Sequence, residues 1–189
     1  MEAMANMLSI KSDLFRSADI DDLTKLDSLY RSVIQICDQD LNRTLITLTF
    51  GSVGVRTFPI SVPYSGLTLH FYLPSVGDSL FEIKQRLLPK KLLRFSDEYG
   101  GDDSDKIAHF FGSAFLELNS VGLFDFASLF GYFVEYFEQY FKVQSKADPR
   151  DLLINEAGRA FGRAIENNPH ALPSQFFLNV YDTLNSHNR

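Results

Sequence analysis

A helix with two different faces is predicted by the stretch Asp148-Pro-Arg-Asp-Leu-Leu-Ile-Asn-Glu-Ala-Gly-Arg-Ala-Phe-Gly162. At about 100° per residue, a polar line runs along this helix through Asp151, Asn155, Gly158 and Gly162, and apolar side chains cover the opposite side. Each glycine inside a helix costs roughly 1 kcal/mol relative to alanine. Two glycines on one line therefore predict that a second helix approaches this polar side closely.

A single domain is expected from a chain of 189 residues that is 45% hydrophobic, because this length supplies one substantial core but rarely two. We divide it into a flexible arm or short helix over residues 1–18, a unit of helix, small sheet and helix over 19–95, and a helical bundle over 96–189 that carries the polar residues. The formal net charge of -6 argues against a nucleic-acid partner, since phosphate binding requires clustered Lys and Arg.

Cysteine content and hydropathy indicate the compartment. Cys37 is the only cysteine, which excludes an intramolecular disulfide and a cysteine-based zinc site. This favours the cytoplasm, with envelope association as the alternative if a signal sequence has been removed. The longest segment without Asp, Glu, Lys or Arg, Thr57–Gly77, is interrupted by three prolines, so no transmembrane helix is predicted.

Apolar spacing changes along the chain from helical to strand-like and back. A period of 3.6 residues predicts an amphipathic helix over 19–40, and a period of 2 between Arg43 and Pro74 predicts three antiparallel strands. Further helices are predicted over 78–88, 105–118, 124–142 and 173–184. The predicted fold class is therefore α+β, mainly a helical bundle with a small three-stranded antiparallel sheet near residues 43–74.

A glycine-containing acidic loop runs from Ser96 to Asp105. Carboxylate oxygens suit Ca²⁺, but the spacing of an EF-hand is absent. We therefore interpret this segment as a solvated loop that leads into the next helix.

Polar side chains also occur at helical spacing in two other predicted helices. Asp105 and His109 are four residues apart, which lets the carboxylate orient or charge the imidazole. Glu135 and Glu138 lie opposite a broad aromatic face in the helix over 124–142. That face predicts core packing, and the alternative is contact with a protein partner or a membrane surface.

Taken together, these motifs resemble those of the bacterial VanZ-like proteins and the related predicted-lipoprotein family. The similarity covers about residues 97–165. It is carried by Asp105-Lys106 with His109-Phe110, by Glu135 with Glu138, and by Asp151-Leu152 with Asn155, Gly158 and Gly162. This chain departs from both families, because it lacks the hydrophobic helices of the first and the signal peptide of the second.

The resemblance implies a helical bundle with a shared polar cluster, and it is linked to the cell envelope without a firm reaction. Carried over to this sequence, that cluster comprises Asp105, His109, Glu135, Asp151 and Asn155. Glu138 stands where those families more often have Gln or Asp.

Two functions are open for the predicted cluster of Asp105, His109, Glu135, Glu138, Asp151 and Asn155. The first is a binding or structural module in which buried polar groups satisfy one another. The second is a metal-dependent hydrolase, in which Asp105, His109, Glu135 and Asp151 hold a divalent zinc, manganese or iron ion that activates water. Catalysis would then depend on His109, Glu135 and Asp151. We favour the non-enzymatic hypothesis because the cluster contains one histidine; the oligomeric state stays open.

Overall fold

The computed structural model describes residues 2–61, 68–72, 76–93, 96–119 and 150–178. Its helices are α1 Glu2–Ile10, α2 Ser12–Arg16, α3 Asp22–Ile36, α4 Leu41–Ser52, α5 Asp78–Leu87, α6 Ser104–Leu118 and α7 Arg150–Asn167. A 3-10 turn spans Ser96–Tyr99, and residues 173–178 are helical. Two strands, β1 Thr57–Ser61 and β2 Thr68–Tyr72, pair antiparallel.

The predicted α+β fold with a three-stranded sheet over residues 43–74 is wrong, because the described chain is mainly helical. The segment expected as the first strand is helix α4. Within the described residues the sheet has two strands, in a register that runs from Thr57 opposite Tyr72 to Ser61 opposite Thr68.

The local chemistry of α4 explains why its alternating pattern does not form a strand. Asp40 is the N-cap, and its carboxylate accepts a hydrogen bond from the Arg43 N–H. Leu45 and Leu48 are three residues apart and both are buried, as a helix packed against α6 requires. Buried hydroxyls on the same helix, such as that of Thr49, donate to the carbonyl four residues earlier. An apolar run that fits both periods is therefore decided by its cap and its packing.

Residues 1–18, expected as a flexible arm or a short helix, carry the two helices α1 and α2. Met4, Leu8 and Phe15 are buried, and α1 packs against α3, α4 and α5. Gly51 of α4 makes room for this contact, since a Cβ there would collide with the Met4 side chain. The N-terminal segment is thus part of the core.

The core centres on α6, in which every residue from Lys106 to Phe115 is buried. Aromatic rings pack around it. The ring centroids of Tyr30 in α3 and Phe161 in α7 are 5.3 Å apart, and those of Phe110 in α6 and Phe177 are 4.8 Å apart. A helix buried on all sides must satisfy its polar side chains internally. The buried polar residues of α6 are Lys106, His109 and Ser113, and each needs a partner inside the protein.

Helices α6 and α7 run in the same direction and touch along their length. Near their starts Lys106 contacts Asp151, and near their ends the Arg163 guanidinium lies 2.8 Å from the Glu117 carboxylate. The helix predicted over residues 124–142 lies outside the described residues.

Candidate functional site: a buried polar cluster

The line of Asp151, Asn155, Gly158 and Gly162 on α7 faces α6. A Cβ at Gly158 would overlap the Phe110 carbonyl oxygen, and one at Gly162 would lie 2.6 Å from the Ala114 carbonyl oxygen. These obstacles are backbone atoms, which cannot rotate aside as a side chain can. The two glycines therefore set how closely the walls of the site approach.

A buried ion pair joins the first turns of the two helices. Lys106 Nζ lies 2.6 Å from Asp151 Oδ1 and 2.7 Å from Asp105 Oδ2. The side chains of Lys106 and Asp151 are 2% and 1% exposed, whereas that of Asp105 is 34% exposed. Charges removed from water need a close partner. The Lys106 ammonium thus pairs with two carboxylates, one from each helix.

His109, which is fully buried, lies one helical turn further along α6. Its Nδ1 is 3.3 Å from Asn155 Oδ1, and the Ser113 hydroxyl donates to the same oxygen over 3.1 Å. Because an amide oxygen can only accept, this contact assigns the proton to Nδ1. Nε2 then presents its lone pair on the side of Asp151, whose Oδ2 lies 3.8 Å away.

The protonation state of His109 follows from its surroundings. Burial lowers the pKa of the imidazole below its usual 6.5; Asp151 raises this pKa and Lys106 lowers it, and the net direction is downward. The imidazole is therefore neutral at pH 7. A neutral imidazole is the form that coordinates metal ions.

Three side chains in the cluster could hold a metal ion. One potential ligand atom from each of Asp105, His109 and Asp151 lies within 4.8 Å of the other two. A nitrogen with carboxylate oxygens suits zinc, manganese or iron better than calcium or magnesium. Lys106 competes for this set, since it contacts one oxygen of each carboxylate. The second carboxylate oxygen of Asp151, Oδ2, has no hydrogen-bond donor among the described residues.

Of the six residues that the sequence predicts for the cluster, the structure brings four together: Asp105, His109, Asp151 and Asn155. Glu135 and Glu138 lie outside the described residues, so their membership stays a prediction. The sequence interpretation missed two participants, Lys106 as the internal cation and Ser113 as a donor to Asn155. Ser113 follows His109 by four residues on the same helix face, which is the signal that could have identified it.

A second buried ion pair lies at the start of α7. Arg150 Nη1 is 2.9 Å from Oδ1 of Asp103, which is fully buried. The other oxygen of Asp103 accepts hydrogen bonds from the backbone N–H groups of Leu92 and Leu93 and from the Ser96 hydroxyl. One carboxylate thus ties three separate segments of the chain together.

The exposed acids of the loop over residues 96–105 pair with lysines. Lys91 Nζ lies 3.0 Å from Asp97, and Lys90 Nζ lies 3.2 Å from Asp102. With Asp103 held by Arg150 and Asp105 by Lys106, four of the acids in the segment that we interpret as a solvated loop have a cationic partner from the chain itself.

Comparison with protein-family models, curated proteins and solved structures finds no match for this chain. The resemblance to the VanZ-like family therefore depends on the motif residues alone. Among the helices of the described segments, none has the length and apolar character needed to cross a bilayer.

Proposed function

We propose that this chain is a non-catalytic helical module, binding or structural in role, whose polar cluster fixes α6 against α7 in one register. The observation that supports the proposal is the Lys106–Asp151 ion pair, 2.6 Å long and almost inaccessible to water. Sliding one helix past the other by one turn, about 5.4 Å, would separate the buried Asp151 carboxylate from the Lys106 ammonium. Breaking a pair of this kind costs about 3–5 kcal/mol, which disfavours every other alignment.

Further along the helices, the glycines and Asn155 also favour a single alignment of α6 and α7. Apolar side chains alone tolerate repacking when total volume is kept. Here Gly158 must lie opposite Phe110, and Asn155 must lie between His109 and Ser113. Only one alignment of α6 and α7 meets both requirements.

Such a module acts through what its surface binds. The aromatic helix predicted over residues 124–142 is the proposed contact for a protein partner or a membrane surface, in keeping with an envelope-associated role. This segment lies outside the described residues, so the proposal rests there on the amino-acid pattern. The net charge of -6 argues for a partner other than nucleic acid.

A metal-dependent hydrolase is the second candidate, because Asp105, His109 and Asp151 could hold an ion that activates water. Catalysis would also need access for the substrate. His109 and Asp151 are 0% and 1% exposed, and Asp105 alone of the three reaches the surface. This burial favours the structural role.

The Asn155→Leu variant tests the proposal by chemical denaturation in the presence of a chelator. Leucine has a similar size but removes the acceptor shared by His109 and Ser113, so we expect a loss of roughly 1–3 kcal/mol in the free energy of unfolding. Asn167→Leu is the matched control, since Asn167 is exposed on the same helix and should change stability by less than about 0.5 kcal/mol. Equal effects of the two substitutions would contradict the proposal that the polar cluster fixes α6 against α7.

A further inference from the structure

We infer that Asp105, His109 and Asp151 bind one divalent transition-metal ion, of the zinc, manganese or iron class, as an additional tie between α6 and α7. This inference rests on the proposed function, because it assigns a ligand to the same cluster. It requires no hydrolytic activity.

The first argument is the state of the Asp151 carboxylate. Asp151 is 1% exposed, and its Oδ1 is engaged by Lys106. Its Oδ2 meets no hydrogen-bond donor among the described residues and is directed to the same side as His109 Nε2. A buried carboxylate oxygen without a donor is costly. A cation on this side of the carboxylate would remove that cost.

The second argument is distance. Zinc bonds to histidine nitrogen and carboxylate oxygen measure about 2.0–2.2 Å, so two ligand atoms of one ion lie about 3–4 Å apart. His109 Nε2 and Asp151 Oδ2 are 3.8 Å apart. The atom offered by Asp105 lies within 4.8 Å of the others, and this side chain is partly exposed and able to adjust.

The third argument concerns Lys106, which contacts one oxygen of Asp105 and one of Asp151. Each carboxylate has a second oxygen, so the ammonium and a metal ion can share both carboxylates from opposite sides. The described members of the cluster include two carboxylates and one ammonium. The excess of one carboxylate over the ammonium favours the binding of a cation.

Titration of the chelator-treated, full-length protein with Co²⁺, a spectroscopic substitute for zinc, tests the inference. We expect visible absorption bands that saturate at about one equivalent, with a Kd below about 100 μM. Zn²⁺ should displace the bound Co²⁺. Zn²⁺ should also raise the Tm of the protein, whereas Mg²⁺ and Ca²⁺ should leave it unchanged.

Variants locate the ion. Asp105→Asn, at the exposed edge of the cluster, should keep the fold and weaken Co²⁺ binding at least about tenfold, in line with loss of a ligand. His109→Gln should abolish the bands, while His170→Gln in an exposed position should retain them. Absence of bands and of a Tm shift in the unaltered protein would overturn the inference, as would equal affinity in Asp105→Asn. The stability test with Asn155→Leu is done in the presence of a chelator. Failure to bind a metal ion would therefore overturn this inference without contradicting the proposal that the polar cluster fixes α6 against α7.

Discussion

Lys106 of α6 and Asp151 of α7 form an ion pair with an Nζ–Oδ1 distance of 2.6 Å and side-chain exposures of 2% and 1%. The pair lies where the two parallel helices begin. From there the polar line of α7 continues through Asn155 to Gly158, so charge and close backbone approach act on the same interface. The register of these helices is therefore set by specific contacts as well as by burial of apolar area.

Replacing Gly158 by alanine should destabilise the protein by about 1–3 kcal/mol, the range for overpacking a filled interior. This loss outweighs the gain of roughly 1 kcal/mol in helix propensity, because the added Cβ would overlap the Phe110 carbonyl oxygen. Gly77→Ala is the control, since nothing lies within 4 Å of a Cβ at that position. Thermal and urea denaturation measure both variants, and a stabilised Gly158→Ala protein would show that the helices do not approach as described.

His109 should make stability depend on pH near neutrality. Burial lowers the pKa of its imidazole in the folded state, so the unfolded state, with a pKa near 6.5, takes up a proton more readily as pH falls. Stability should thus decrease as pH falls through 6.5 and level off below the folded-state pKa. Urea denaturation between about pH 7.5 and 5 measures how the free energy of unfolding changes with this titration. The slope should be smaller in His109→Gln and unchanged in His170→Gln; parallel profiles for the unaltered protein and His109→Gln would refute this assignment.

Asp103 should contribute far more to stability than the exposed acids of the same loop. Asp103→Ala would remove a buried carboxylate that binds the Arg150 guanidinium and accepts from the Leu92 and Leu93 N–H groups, and we expect a loss of about 3–5 kcal/mol. Asp97→Ala removes an exposed pair with Lys91 and should cost less than about 1 kcal/mol. Equilibrium unfolding compares the two, and similar losses would mean that the Asp103–Arg150 pair is not a structural tie.

Much of the helical part of the fold is readable from apolar spacing. The helices predicted over 19–40, 78–88 and 105–118 appear as Asp22–Ile36, Asp78–Leu87 and Ser104–Leu118. Spacing also fixes the angular positions on a helix, which is why Asp151, Asn155, Gly158 and Gly162 all meet α6.

Spacing did not decide the structure of residues 41–52. Ile46, Leu48 and Phe50 follow a period of 2, whereas Leu45 and Leu48 are spaced as in a helix, and the sequence interpretation took the first pattern. The N-cap at Asp40 and the packing against α6 select the helix. Of these two factors, only the cap could have been read from the sequence.

The buried cations could not be predicted from local pattern. Lysine normally keeps its ammonium in water, and Lys106 is buried because Asp151 reaches it from another helix. Arg150 and Asp103 are likewise 47 residues apart in sequence. Such pairs depend on tertiary contact between helices, which a single sequence does not specify.

A double-mutant cycle between Lys106 and Asp151, measured by urea denaturation in the presence of a chelator, tests the central claim most directly. Lys106→Met alone should be strongly destabilising, because it strands the Asp151 carboxylate. Adding Asp151→Asn removes the stranded charge, so the double variant should be more stable than the sum of the single effects predicts, by about 1–3 kcal/mol. Effects that add within about 0.5 kcal/mol would contradict the claim that this pair locks α6 to α7.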